Sequence, residues 1–334
     1  MNIPFFSVSL FVISLFFVLN EGLSAQEAYP FVPVNSSEEL VYPYAEDQFV
    51  EVDHSKGGKG YWMFYTEDAD LKKAPLICFI HGYGGYNPMI YGEWIKHLVR
   101  QGNIVIYPRY QLNVVFPRPN RFAENTQIGI LDAMQYMREQ FGRTDFSEAD
   151  YVGHSYGGVI ISDILTRHEA MGLPRPKNAL LCAPGTSRLS GGRLDDYGAI
   201  DPSVRMLIVE EGKDWVVGQE FSRKVFKESS PEMSKRLLVN YQQILYNKRI
   251  RAHHNECYSV DESLDSGLRN YTASRAFEVG ETDLIDFNLY WRLFDLLRLN
   301  NEKASAVLFA AEAFDIGSFQ GEKAGMIRII EATD

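Results

Sequence analysis

The stretch Tyr151-Val152-Gly153-His154-Ser155-Tyr156-Gly157-Gly158 constrains the fold of this chain more than any other. An apolar strand candidate, residues 149–152, runs into it. A helix candidate, residues 159–168, runs out of it with Ile160, Ile161, Ile164 and Leu165 apolar. Gly153 and Gly157 flank Ser155 in a Gly-x-Ser-x-Gly pattern. A strand that turns sharply into a helix crowds neighbouring backbone and forces unfavourable dihedrals, so a side chain at either flank would clash. Such a turn lifts the serine hydroxyl above the sheet edge. The new helix then offers free N–H groups and a dipole that favours developing negative charge. The competing reading is an ordinary glycine-rich turn between strand and helix.

The rest of the chain fits around this turn. Residues 48–52 and 61–65 read as strands joined by the glycine-rich link His54-Ser55-Lys56-Gly57-Gly58-Lys59-Gly60, a hairpin signal. Leu76-Ile77-Cys78-Phe79-Ile80 is continuously apolar, as expected of a strand covered on both faces. Helix candidates 91–101, 123–140 and 159–168 alternate with strand candidates 103–107, 149–152, 178–182 and 204–209. Alternation of this kind means parallel strands joined by right-handed crossovers. Residues 186–203 are long enough for a flap and too short for a folded cap. Beyond them, residues 219–243 read as a helix broken at Pro231, 248–252 as a short strand, and 286–300 as a strongly apolar helix. The expectation is an α/β fold: a doubly wound, mostly parallel central sheet flanked by helices, without a large cap domain, spanning residues 48–334.

Of 334 residues, 33 are Lys or Arg and 44 are Asp or Glu, a net charge of −11 with no basic run. That argues against nucleic acid and anionic membrane surfaces as partners. Cys78, Cys182 and Cys257 have no metal-ligand spacing, and their odd number leaves at least one unpaired. Residues 3–19 are apolar apart from Ser7, Ser9 and Ser14. Gly22, Ser24 and Ala25 follow, so residues 1–25 read as a secretory signal, with an uncleaved membrane anchor as the rival. Both readings put the globular part outside the cytoplasm. Prolines at short spacing make residues 26–47 an extended surface segment.

A serine needs a base, a group that orients the base, and donors for the oxyanion. His54, His97 and His168 fall in a hairpin, inside a helix and at a helix end, and His154 should point away from Ser155. His253 and His254 follow the 248–252 strand candidate. Only one can face the serine, because adjacent side chains in extended chain diverge, and His254 is favoured. The acid should follow the 204–209 strand. Asp214, in the turn beyond Gly212, fits best, with Glu210 and Glu211 as alternatives. His81-Gly82-Tyr83-Gly84-Gly85 ends a buried strand and suits an oxyanion loop. Its donors would be the N–H of Tyr83 and the N–H of Tyr156, with His81 structural. Tyr83, Tyr86, Tyr110, Phe116, Tyr156 and Trp215 gather near these motifs, and Tyr83 and Trp215 are the candidates for substrate contact.

With these segments in view, residues 48–300 resemble the α/β-hydrolase-fold serine hydrolases. The His-Gly-Tyr-Gly-Gly loop, the Gly-His-Ser-Tyr-Gly-Gly elbow and the Gly-Lys-Asp-Trp turn are similar to the branch that holds chlorophyllases, cutinase-like polyester hydrolases and dienelactone hydrolases. The resemblance implies a triad of Ser155, Asp214 and His254, and a Tyr83 that gives an oxyanion N–H and an aromatic wall. The cysteine nucleophile of dienelactone hydrolases is absent. The implied activity is hydrolysis of small-molecule or polymeric carboxylic esters without metal or organic cofactor. A peptidase, thioesterase or acyltransferase on the same triad is the alternative, and a non-catalytic binding protein on the same fold is the reading from another class.

Overall fold

Leu76–Ile80 (β3) is five apolar residues long and buried throughout. Side chains alternate between faces along extended chain. Ile77 and Phe79 therefore pack with Trp94, Leu98, Phe294 and Leu297 on one side. Cys78 and Ile80 pack with Met134, Ile161 and Leu165 on the other. A strand covered on both faces has to lie inside a three-layer α/β arrangement. The computed structural model describes residues 42–330 except 190, 246–247, 284, 311–312, 316–317, 320–321 and 324–325. The signal-like segment 1–25 and the leader up to residue 41 lie outside the described residues.

Around β3 the sheet is built from β1 (Phe49–His54), β2 (Tyr61–Thr66), β4 (Ile104–Pro108), β5 (Glu148–His154), β6 (Arg175–Cys182), β7 (Arg205–Glu211) and β8 (Lys235–Asn240). Their spatial order is β1-β2-β4-β3-β5-β6-β7-β8. The β1–β2 and β2–β4 pairs are antiparallel, and every pair from β4 to β8 is parallel. Helices α1 (Gly92–Arg100), α5 (Tyr271–Val279) and α6 (Arg292–Leu299) cover the Phe79 face. Helices α2 (Phe122–Phe141), α3 (Tyr156–Met171) and α4 (Glu220–Glu228) cover the other. Two small hairpins, β9–β10 (Gln243–Leu245 and Lys248–Ile250) and β12–β13 (Ser318–Phe319 and Glu322–Lys323), form separate sheets. β11 (Ala313–Asp315) and β14 (Met326–Ile330) extend the main sheet antiparallel past β8. The parallel strands all end at one edge, which gathers the loops after β3, β5, β7 and β8.

Three assignments from the sequence change. Residues 219–243 are not one helix: α4 ends at Glu228, and the buried run Leu237-Leu238-Val239 belongs to β8, beside β7. Pro231 lacks the donor a continuing helix needs, and an unbroken apolar triplet suits a strand buried on both faces. The strand expected at 248–252 pairs only with β9, away from the central sheet. The helix at 286–300 begins as a π-helical turn, Asp286–Trp291, before α6. The sequence reading assigns no helix to α5, which buries only Ala273 and Ala276 and so shows little apolar periodicity.

Candidate active site

β5 ends at His154, and α3 starts at Tyr156. Between them Ser155 adopts φ 54° and ψ −120°, a backbone state costing about 1–3 kcal/mol for a residue with a side chain. Three main-chain bonds hold it there. Ser155 N–H donates to the Cys182 carbonyl at 2.8 Å, and the Ser155 carbonyl accepts from Gly158 at 3.0 Å and Gly185 at 3.2 Å. A Cβ on Gly157 would stand 2.0 Å from the Ile80 carbonyl oxygen, and one on Gly153 would stand 2.7 Å from Ile161 Cδ1. The Gly157 contact is with backbone and cannot be relieved by a side-chain rotation. Gly157→Ala is accordingly expected to cost about 4 kcal/mol or more, seen as a fall in Tm of about 8 °C or more or as loss of folded protein. An unchanged thermal transition would contradict this packing.

The His254 imidazole reaches the serine from the loop after the β9–β10 hairpin. Its Nε2 lies 2.8 Å from Ser155 Oγ, and its Nδ1 lies 2.7 Å from Asp214 Oδ2. A carboxylate only accepts, so the Nδ1 proton points to Asp214 and neutral Nε2 accepts from the serine hydroxyl. Asp214 Oδ1 accepts from the amides of Val216 at 2.8 Å and Val217 at 3.0 Å. Burial opposes ionisation of Asp214, but the hydrogen bonds from His254, Val217 and Val216 outweigh it and hold the carboxyl below its usual range. The Lys213 amide donates to the Ala252 carbonyl at 2.9 Å, tying the Asp214 turn to the His254 loop.

The neighbouring candidates do other things. His253 is exposed, and its amide donates to Glu256 Oε1 at 3.1 Å. Glu210 and Glu211 are the last two residues of β7 and lie buried within the strand, not beyond it. Glu210 accepts from Ser222 Oγ at 2.5 Å, and Glu211 accepts from Asn240 Nδ2 at 2.8 Å and from the Tyr290 hydroxyl.

The His81–Gly85 loop lies against the serine. A Cβ on Gly82 would come within 3.2 Å of Ser155 Cβ. The Gly82, Gly84 and Gly85 amides donate to the Tyr91 hydroxyl, Gln111 Oε1 and the Gly82 carbonyl. Among the described residues the Tyr83 N–H has no acceptor. Tyr156 is the first residue of α3, where an N–H has no partner inside the helix. His81 stiffens the loop: its Nδ1 lies 2.6 Å from the Gly82 carbonyl, and its ring stacks on Tyr110 at 4.2 Å. Burial lowers the His81 pKa to about 3, so the ring is neutral.

Side chains near the motifs divide sharply. Tyr83 is half-buried and donates its hydroxyl to the Val114 carbonyl at 2.8 Å. Tyr156 is buried, with its hydroxyl on the Gly191 carbonyl at 2.7 Å. That bond ties the side chain to the 186–203 segment, so it is not free for substrate. Tyr110 is core and Tyr86 is buried, whereas Phe116 is 79% exposed and Trp215, beside Asp214, is 85% exposed.

Glu256 lies two residues past His254, and burial, with Asp283 nearby, pushes its carboxyl from 4.5 up to about 7 despite the His253 amide. The folded protein thus holds this proton more tightly than the unfolded chain. Its contribution to stability is present below the ordinary carboxylate pKa and is lost as pH rises through 7. Glu256→Gln is expected to raise Tm by about 5 °C at pH 8 and to leave it nearly unchanged at pH 5. Equal shifts at both pH values would contradict the assignment.

Among the described residues no group of three or more His, Cys, Asp or Glu is placed to hold a metal ion, and no helix is long and apolar enough to cross a membrane. Cys78, Cys182 and Cys257 are all free and buried. No family model matches the chain, and a search of curated proteins finds no match. Fold and site alone therefore define its class. It is an α/β protein with a mostly parallel sheet flanked by helices, compatible with the α/β-hydrolase architecture, in which Ser155, His254 and Asp214 form one hydrogen-bonded line.

Proposed function

We propose that this chain is an exported serine hydrolase of the α/β-hydrolase class that cleaves carboxylic esters through an acyl-enzyme. The observation that carries the reading is the unbroken line Asp214–His254–Ser155, with contacts of 2.7 and 2.8 Å. In this mechanism His254 Nε2 takes the serine proton as Oγ attacks the ester carbonyl. Asp214 fixes the imidazole tautomer and stabilises its charged form. The oxyanion accepts from the Tyr83 and Tyr156 amides, and removing one such donor typically costs about 10²–10³ in rate. His254 then returns the proton to the leaving alcohol and activates the water that releases the acid. The loop, elbow and acid-turn motifs favour the branch with chlorophyllases and cutinase-like polyester hydrolases, whose substrates are small-molecule or polymeric esters.

A panel of p-nitrophenyl esters of increasing acyl length, with an amide and a thioester alongside, tests the reading. Ester turnover that disappears in Ser155→Ala supports it, and a wild type inert to every ester contradicts it. We assign the exposed indole of Trp215, the residue after Asp214, to contact with the acyl chain or leaving group. Trp215→Ala should lower kcat/KM for the longest ester about tenfold more than for acetate, the value of burying part of an aromatic surface. Unchanged relative rates across chain length would remove Trp215 from the substrate site.

A further inference from the structure

We propose that His154 and Tyr91 are positioning residues that tie the base, the nucleophile strand and the oxyanion loop into one buried hydrogen-bonded line, an inference that rests on Ser155 acting as the nucleophile. His154 is the last residue of β5, directly before Ser155, and both it and Tyr91 are buried. Its Nε2 lies 2.7 Å from the backbone carbonyl oxygen of His254. Its Nδ1 lies 2.9 Å from the Tyr91 hydroxyl, which in turn lies 3.1 Å from the Gly82 amide nitrogen.

The bond to the His254 carbonyl sets the direction of the others. A carbonyl only accepts, so Nε2 carries the proton and donates to His254. Nδ1 of the neutral ring is then an acceptor, and the Tyr91 O–H donates to it. The Tyr91 oxygen keeps a lone pair for the Gly82 N–H. Both side chains thus have partners at each end of the line, with the Tyr258 hydroxyl beside Tyr91 and the Cys257 thiol beside His154 as further neighbours.

What the line joins gives it its consequence. One end is the main chain of the residue whose imidazole contacts Ser155, and the other is the residue just before Tyr83. His254 sits on a loop outside the central sheet, and His154 connects that loop to β5. Packing keeps the line in place: the His154 ring lies 4.7 Å from the His254 ring, and both His154 and Tyr91 meet Tyr258 edge-on at 5.3 and 5.4 Å. Gly82 must be bare, because a Cβ there would lie 2.8 Å from His154 Nδ1.

The test uses the full-length protein and the best p-nitrophenyl ester of the wild type, with circular dichroism and Tm to show that each variant folds. His154→Leu is expected to lower kcat/KM about 10²-fold, the usual effect of displacing a reacting group by about 1 Å. His154→Gln keeps an N–H for the His254 carbonyl and should recover most of that loss. Tyr91→Phe should lower the rate about tenfold, and Tyr91→Phe/His154→Leu should be no slower than His154→Leu, because the two act in series. Folded variants within twofold of wild type, a His154→Gln as slow as His154→Leu, or fully multiplicative losses would each overturn the proposal. Should His154→Leu fail to fold, ¹⁵N chemical shifts of the wild-type histidines decide: the Nε2–H tautomer at His154 supports the line, and the Nδ1–H tautomer overturns it. A wild type inert to esters removes the nucleophile reading and this one with it, whereas an active wild type with unperturbed variants removes this one alone.

Discussion

Ser155→Ala is expected to lower kcat for ester hydrolysis about 10⁶-fold while leaving the fold intact, and adding His254→Ala should lower it no further. The reason is the geometry of the line. His254 Nε2 has the Ser155 hydroxyl as its hydrogen-bond partner at 2.8 Å, so without Oγ the imidazole has no proton to take and no nucleophile to activate. The substitution removes one oxygen from a residue whose backbone is held by Cys182, Gly158 and Gly185, and those bonds survive it. Loss from either variant alone should therefore equal loss from both. A Ser155→Ala protein that retains more than about one part in 10³ of wild-type kcat, beyond the residual rate that the oxyanion donors alone sustain, would show that the serine is not the nucleophile.

Asp214→Asn is expected to cost about 10⁴ in kcat with little change in stability. Here the amides of Val216 and Val217 decide the outcome. Both donate to Oδ1, so the carbonyl oxygen of an asparagine stays at that position and its NH₂ group turns toward His254 Nδ1. An NH₂ group donates, which selects the imidazole tautomer protonated on Nε2. That proton then faces Ser155 Oγ, and the ring cannot act as base. Steady-state kinetics of the purified variant check this, and a loss below tenfold would mean that the 2.7 Å contact to His254 does not set the tautomer.

The parts of this site legible in the sequence are those dictated by local chemistry. The Gly-x-Ser-x-Gly turn is readable because backbone crowding at Gly157, 2.0 Å from the Ile80 carbonyl for a hypothetical Cβ, leaves no other residue type. Asp214 is readable because the apolar run Met206-Leu207-Ile208-Val209 marks β7, and Asp214 lies in the turn past it even though the strand itself continues through Glu210 and Glu211. The divergence of adjacent side chains shows that only one of His253 and His254 can face the serine but not which; the contacts of His254 with Ser155 at 2.8 Å and Asp214 at 2.7 Å decide it. The eighth strand was hidden because Leu237 and Leu238 follow an amphipathic helix across a short break, and strand and helix compete evenly for a brief apolar run. The role of His154 was also hidden. Its partners, Tyr91 and the His254 carbonyl, stand 63 and 100 residues away, and no periodicity reports a contact made through a main-chain oxygen. The packing of the Tyr156 ring, edge-on against Phe122 at 5.0 Å, was not legible either, because Phe122 stands in a different helix.

Reaction of the folded protein with a fluorophosphonate, followed by peptide mass spectrometry, addresses the whole scheme in one measurement. A single adduct on Ser155, abolished in His254→Ala and slowed in Asp214→Asn, is the expected result. Folded wild-type protein that stays unmodified, or that carries its adduct on another residue, would contradict the assignment of Ser155 as an activated nucleophile.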